Sequence, residues 1–292
     1  MTNWFGSISG KFLLQAGVRQ GGVLSPVLFT VYIDSLIVAL QSRGLGCQIG
    51  FMCFGILMYA DDLILISSSV TEMQKMINVC TDELDKLDLS INIKKSVCIR
   101  VGRGVKNVCS ELTVGAVTIP WASNMTYLGI TIKSSVKFLI DLKICRTKFY
   151  RSFNSVFCRI CKANELLIVS IVKTFCVPTV MYSVEALDLN ASQLNSLDFL
   201  MFQAFGKIFK TTDRDTLNWC MYYMNTWPLR FEYYYRKIKF LTKIAKSENN
   251  LIISCFHLFG KLELTNLCRK VNVNNMAEAK NVIWANFASS IM

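Results

Sequence analysis

Residues 59–62 read Tyr-Ala-Asp-Asp, with an apolar run on each side, Ile56-Leu57-Met58 before and Leu63-Ile64-Leu65-Ile66 after. Two adjacent carboxylates repel unless a cation lies between them or one keeps its proton. Each apolar run is long enough for a buried strand, and the polar pair falls where the chain would turn. The pattern therefore predicts a β-hairpin with acids at its tip. Oxygen ligands at a strand end suit a hard divalent cation, Mg²⁺ first. A solvated Asp-Asp turn is the bland alternative, and the surrounding chain has to decide between them.

Upstream, Lys11 to Val18 predicts a short strand that ends in Gly17-Val18-Arg19-Gln20-Gly21-Gly22. The glycines permit close backbone approach, while Arg19 and Gln20 bring a charge and an amide. Ser25-Pro26 then reads as a helix start, with Ser as cap and Pro in the first helical position. Leu24, Val27, Leu28, Val31 and Tyr32 recur at helical spacing, and Gly44 is a typical stop. After the hairpin, Ser69 and Glu72 have capping-box spacing ahead of Met73, Met76, Ile77, Cys80, Leu84 and Leu87. Asn92-x-x-Lys95-Ser96 comes next, then strands at Val97–Val101, Leu112–Ile119 and Tyr127–Ile132, with a tight turn around Gly129.

From Val136 the expectation turns helical. Val136 to Ile160 carries Lys137, Lys143, Arg146, Lys148, Arg151 and Arg159 against one acid, Asp141, with Phe138, Phe149, Phe153 and Phe157 interleaved. Pro178 should break the next helix. Residues 191–210 and 230–246 are again helical and basic, the latter containing Tyr233, Tyr234 and Tyr235, which suit a helical core better than a base-stacking platform. The fold class is α+β: strands with helices to residue 133, then an all-α remainder.

Composition bounds the function. The chain has 292 residues, 52% of them hydrophobic, enough for a large core. Its best membrane candidate in sequence, Ile49 to Ala60, is far short of the roughly twenty residues a spanning helix needs. The segment beginning Met1-Thr2-Asn3-Trp4 lacks the basic flank and apolar core of a secretory signal, so an intracellular protein (nucleus or cytoplasm) with no membrane partner is expected. Twelve cysteines lie singly among apolar residues, as reduced thiols do. The Cys158-x-x-Cys161 pair has no second pair at finger spacing, and Cys255, His257 and Cys268 do not complete one, so no zinc is expected. A net charge of +12 favours a polyanionic partner, nucleic acid above all.

The order of the pieces resembles the succession found in reverse transcriptases: Gly17 to Pro26, Tyr59-Ala60-Asp61-Asp62, Asn92-x-x-Lys95-Ser96, then Tyr127-Leu128-Gly129. It is most similar to those of non-long-terminal-repeat retrotransposons, the long interspersed element type, and Pro178-x-x-x-Tyr182-x-x-Glu185 extends the likeness to about residue 190. A group II intron maturase is a further, less close likeness. The resemblance implies a partial polymerase palm at 1–133, thumb-like helices at 134–190 and a C-terminal helical region at 191–292. It implies an RNA template, a DNA primer and deoxynucleoside triphosphates as partners. Asp61 and Asp62 would hold Mg²⁺ for template-primed nucleotidyl transfer by a two-metal mechanism. Lys95 would approach the nucleotide phosphates, where it could donate a proton to the leaving pyrophosphate. Arg19, Gln20, Gly21 and Tyr59 would lie beside nucleotide and template, and Tyr127, Leu128 and Gly129 would support the primer end. Lys143, Arg146, Lys148 and Arg151 would contact duplex phosphates.

One departure stands out. The family carries another catalytic Asp on a strand ahead of the glycine corner, whereas the only acid before Asp61 here is Asp34. The expectation is an N-terminally truncated reverse transcriptase, inactive by itself, whose uncovered apolar surface promotes aggregation. The alternative is a non-catalytic basic helical protein that binds nucleic acid through the helices after residue 134.

Overall fold

The computed structural model describes residues 3–4, 6–8, 10, 17, 21–50, 52–273 and 277–292. The strand expected at Lys11–Val18 lies outside the described residues apart from Gly17. The chain divides into two compact units, Met1–Tyr127 with Ile132–Leu139 and Leu128–Thr131 with Ile140–Met292.

The first unit begins with a two-strand ribbon, β1 (Asn3–Trp4) and β2 (Ser7–Ile8), before helix α1 (Ser25–Ser42). Leu24 precedes α1 with helical backbone angles and no side-chain cap, so Ser25 is already inside the helix. That corrects the expectation of a Ser25 cap: a residue caps only while its own backbone stays extended. Gly44, at φ +62°, follows the helix end as expected. Only Ile33, Leu36 and Leu40, one stripe at spacing three and four, are buried. Two short strands, β3 (Gln48–Ile49) and β4 (Met52–Cys53), lead into the hairpin of β5 (Ile56–Tyr59) and β6 (Asp62–Leu65).

Helix α2 (Val70–Lys86) starts with the Ser69 hydroxyl accepting the Glu72 N–H at 3.0 Å. The reciprocal arm of the box is absent. The Glu72 carboxylate instead accepts the Gly46 N–H at 3.2 Å and the Ser67 hydroxyl, and so ties α2 to the chain before β3. Gly46 is there because nothing larger fits: a Cβ would come within 2.7 Å of the Gly55 Cα, and its φ is +95°. A smaller cluster of Ile77, Leu112 and Ile119 holds the hairpin β7 (Leu112–Val114) and β8 (Val117–Ile119) against α2. Gln74 on α2 exchanges both hydrogen bonds with the Thr113 backbone, 2.8 and 2.9 Å, standing in for a neighbouring strand.

The strand expected at Val97–Val101 does not form. Only isolated parallel bridges occur there, Cys98 with Trp121 and Val101 with Ser135. The tight turn expected around Gly129 is present: it joins β9 (Asn124–Tyr127) to β10 (Ile130–Lys133), in a sheet of order β11-β10-β9 with β11 at Leu139–Ile140, so the strand expected at Tyr127–Ile132 is the end of one strand and the start of the next. Leu128 and Gly129 both take positive φ, +45° and +80°, the hand that joins twisted antiparallel strands.

The second unit is helical. α3 (Lys143–Ile160) begins later than the expected Val136, because 139–140 is drawn into the sheet. α4 (Glu165–Ile171) runs through a π-turn, Val172–Cys176, into α5 (Val177–Val180). Pro178 therefore does not break the helix. The Val177 N–H bonds to Val172 O, and the extra residue in that turn makes room for the proline ring. Beyond them lie α6 (Ala191–Phe209), α7 (Arg214–Tyr223) and α8 (Leu229–Ile244), then α9 (Asn250–Cys255), α10 (Lys261–Lys270) beyond a second π-turn, and α11 (Ala279–Ser289). All of them except α9 contribute to one core running from Leu142 to Phe287, in which Phe149, Phe153 and Tyr233 are buried. A short antiparallel palm-like region packed with helices is thus succeeded by an extended all-α region.

The expectation that Ile49–Ala60 is the most membrane-like stretch is overturned. Ser25–Ser42 and Asn250–Lys270 are each long and apolar enough to cross a membrane by length and composition. Buried core helices pass the same test, but these two are mostly exposed.

Candidate nucleotidyl-transfer hairpin and basic helices

The β5–β6 hairpin sorts its residues by alternation. Register pairs Ile56 with Leu65 and Met58 with Leu63, and all four join the cluster formed by Leu36, Leu40, Met76, Val79 and Cys80. Leu57, Tyr59, Ile64 and Asp62 therefore share the opposite face. Tyr59 and Asp62 are direct partners across the two-residue turn Ala60-Asp61, and both are exposed. Ala60 takes φ +52°, a strained angle for a residue with a Cβ, so the turn holds Asp61 at the hairpin tip at some local cost. The expected placement of the acids is what the fold contains.

Tyr127, at the end of β9, lies within electrostatic reach of Asp62. Its phenol is pushed up first by burial and then by the charge of Asp62. The hairpin tip thus presents Tyr59, Asp61 and Asp62. Lys95 stands apart. It is exposed in a turn closed by the Asn92 carbonyl, which accepts the N–H groups of Lys95 and Ser96 at 3.0 and 3.1 Å and the Ser96 hydroxyl at 2.9 Å. Among the described residues it makes no hydrogen bond or ion pair to either aspartate. Arg19 and Gln20 lie outside the described residues, and Gly21, at φ +78°, leads into α1. Asp34 is exposed on α1.

The donor chemistry fits Mg²⁺ only in part. Two exposed carboxylates suit a water-rich hard cation completed by substrate phosphates. Among the described residues, however, no group of three or more Asp, Glu, His or Cys converges to hold a metal, so the pair falls short of a two-metal set.

In the helical unit, Gly129 lies under the ring of Tyr182: a Cβ there would be 3.2 Å from Tyr182 Cε1. Two motifs more than fifty residues apart are thereby joined, a contact that spacing alone does not reveal. Glu185 has a carboxylate oxygen that is buried and unpartnered among the described residues. On α3, Lys143, Lys148 and Arg151 are exposed, while Arg146 is half-buried and its Nε is enclosed with no hydrogen-bond partner among the described residues. Phe149 and Phe153 point into the core, as do Tyr233 and Tyr234. Sequence reasoning overlooked that α6 packs beside α3. The capping box of Asn190 and Gln193, in which each side chain accepts the other's backbone N–H, is the local signal that marks where α6 begins.

The acid-tipped hairpin packed on two helices thus belongs to a palm-like region, and the chain continues into an all-α unit with a basic leading helix. Residues 3–132 match the family described as reverse transcriptase (RNA-dependent DNA polymerase). The chain also aligns with polyproteins of non-LTR retrotransposons. It is 33% identical over 132 residues to a Retrovirus-related Pol polyprotein from type-1 retrotransposable element R2 of Popillia japonica, covering 42% of this chain and 19% of that protein. A second relative, the Pol polyprotein from type-2 retrotransposable element R2DM of Drosophila melanogaster, is 29% identical over 141 residues, 46% of this chain and 13% of its own length. The RNA-directed DNA polymerase from mobile element jockey of Drosophila funebris is 25% identical over 217 residues, 68% of this chain and 22% of the relative. The chain spans about a fifth or less of the first two relatives' length.

Proposed function

We propose that the chain is the palm and thumb-side helices of an RNA-directed DNA polymerase of a non-LTR retrotransposon, binding an RNA template and DNA primer. The observation that carries this reading is the placement of Asp61 at the tip of the β5–β6 hairpin, with Asp62 paired to Tyr59 across the turn, inside the segment that matches the family. On this reading Asp61 and Asp62 would hold Mg²⁺, which supplies charge neutralisation for phosphoryl transfer when bound. Tyr59, Arg19, Gln20 and Gly21 line the nucleotide and template side, Tyr127, Leu128 and Gly129 support the primer end, and Lys95 approaches the nucleotide phosphates. In the helical unit Lys143, Arg146, Lys148 and Arg151 contact nucleic-acid phosphates.

On the same reading Asp34 on α1, the only acid before Asp61 in the sequence, would not complete a two-metal set with Asp61 and Asp62. The reading therefore includes inactivity of the chain on its own. Primer extension by the purified 292-residue chain on an RNA template with Mg²⁺ tests it. No incorporation is expected, while the template–primer still binds; Mg²⁺-dependent incorporation abolished by Asp61→Ala would refute the inactivity. Mn²⁺ paramagnetic relaxation at the hairpin, lost in Asp61→Asn, separates this reading from a non-catalytic basic binding protein, in which Asp61 is inert. The net charge of +12 is what favours that second reading.

A further inference from the structure

The segment from Tyr182 to Leu187 concentrates costly features. Ser183 takes φ +58°, a left-handed angle that a residue with a Cβ adopts only where its surroundings enforce it. One carboxylate oxygen of Glu185 is enclosed without a partner among the described residues, losing water for nothing in return. Tyr182 is 57% exposed although its ring lies on Gly129. A backbone of this kind persists only when other contacts over-determine it.

Those contacts come from α8. Leu187 ends the 3₁₀ turn Val184–Ala186, and its carbonyl accepts two buried donors, the Tyr233 hydroxyl at 2.9 Å and the Lys237 ammonium at 2.6 Å. The Leu189 N–H donates in turn to the Tyr233 oxygen at 3.3 Å. Lys237 is only 3% exposed, and a lysine that leaves water needs its charge matched. Glu263 on α10 supplies the match in an ion pair. Burial pushes the ammonium down, but Glu263 and Tyr233 carry it above its ordinary value, so it stays charged. An apolar residue could fill this volume without the desolvation; the ammonium is distinguished by gripping Leu187 and Glu263 together. Met181 and Val184 are fully buried beside the same turn. Within one compact unit the contacts therefore run without a gap from α10 to Lys237, to Leu187, and through the 3₁₀ turn to Tyr182 and Gly129.

We propose that Lys237 is a positioning residue for the primer end: by tethering Leu187 it holds Tyr182 against the Gly129 turn and so fixes the support on which the primer terminus rests. The inference rests on the reading above that Tyr127, Leu128 and Gly129 support the primer, and it gives α8 and α10 a task in that site.

Two readouts on the full chain test it. The first is photo-crosslinking to an RNA template annealed to a DNA primer that ends in thiothymidine, at saturating duplex. Lys237→Met should lower the crosslink yield about fivefold, as Tyr182→Ala does, and the two together should lower it no further. Duplex affinity should stay within about twofold, because phosphate contacts dominate it. Phe287→Leu, a core change on α11 off this route, should leave the yield unchanged even where it lowers the thermal midpoint. Tyr233→Phe removes one hydrogen bond and leaves the ammonium, so it carries the test if Lys237→Met folds poorly; its yield should fall about twofold. The second readout needs no nucleic acid: a fluorotyrosine label at position 182 should give one fluorine resonance that Lys237→Met moves or broadens and Phe287→Leu does not. A resonance unmoved by Lys237→Met, or moved equally by Phe287→Leu, overturns the tether. A moved resonance with unchanged crosslinking overturns the primer-end reading on which the proposal rests. A wild type that binds no duplex overturns the wider nucleic-acid reading, and this inference with it.

Discussion

At the scale of single residues, function and strain meet in the turns. Leu128 and Gly129 both hold positive φ, and Gly129 has the Tyr182 ring against it. Gly129→Ala should destabilise the protein by about 1–2 kcal/mol, part from the backbone angle and part from the ring. Adding Tyr182→Ala should return only the steric part, as a double-mutant cycle in denaturant would show. Cys80 is a different case. Burial pushes its thiol up to about 12 from 9.0. The fold favours the protonated thiol, so its contribution is intact below pH 9 and is lost as pH rises toward 12. Denaturant titrations across that range should show falling stability, and Cys80→Ala should remove part of the slope while the other buried thiols keep theirs. The hairpin acids were readable because Tyr59 to Asp62 are consecutive and their flanks alternate. The Tyr127–Asp62 proximity was not, because it joins residues 65 apart in the sequence.

At the scale of elements, helices are held by ties that local pattern does not announce. Asp198 on α6 is buried and accepts the Arg230 backbone N–H at 2.8 Å and its side-chain Nε, fixing the start of α8. Burial raises the Asp198 carboxyl; Arg230 opposes this through hydrogen bonds and charge without fully cancelling it. Arg230→Ala should cost about 3 kcal/mol by leaving a buried carboxylate without its cation. With the upward push less opposed, protonation relieves the penalty, so the deficit should be largest near neutrality and shrink toward about pH 4, measured by chemical denaturation. The same distinction separates right from wrong expectations about helices. The Ser69 cap was legible from spacing, yet Glu72 went to Gly46 and Ser67 because those groups, brought near by the fold, outcompeted its own N-terminus. Pro178 was read as a break, but a π-turn absorbs it within a helix whose buried face packs on α3 and α6.

At the scale of the whole molecule, the apolar face at the start of α1 stands out, left open among the described residues apart from the Tyr32 hydroxyl, which donates to the Leu87 carbonyl. Val23, Leu24, Val27, Leu28, Val31 and Tyr32 are all more than half exposed. A face of that kind drives association, so the purified chain should sediment largely as aggregate in the absence of detergent. Val27→Lys with Val31→Glu should raise the soluble monomer fraction several-fold by light scattering; an unchanged fraction would place the cause elsewhere. Local sequence was sufficient for the α+β-then-α order, the acid-tipped hairpin and the basic leading helix, because strand and helix periods and turn residues are written in neighbouring positions. It was also sufficient for the family likeness, which lies in ordered short motifs. Only the tertiary structure decided that the Arg146 Nε is enclosed without an acceptor among the described residues, that Gly129 lies under Tyr182, and that α1 buries a narrow stripe. Each of these depends on which distant side chains fill the same volume, and packing, unlike periodicity, has no short-range signature.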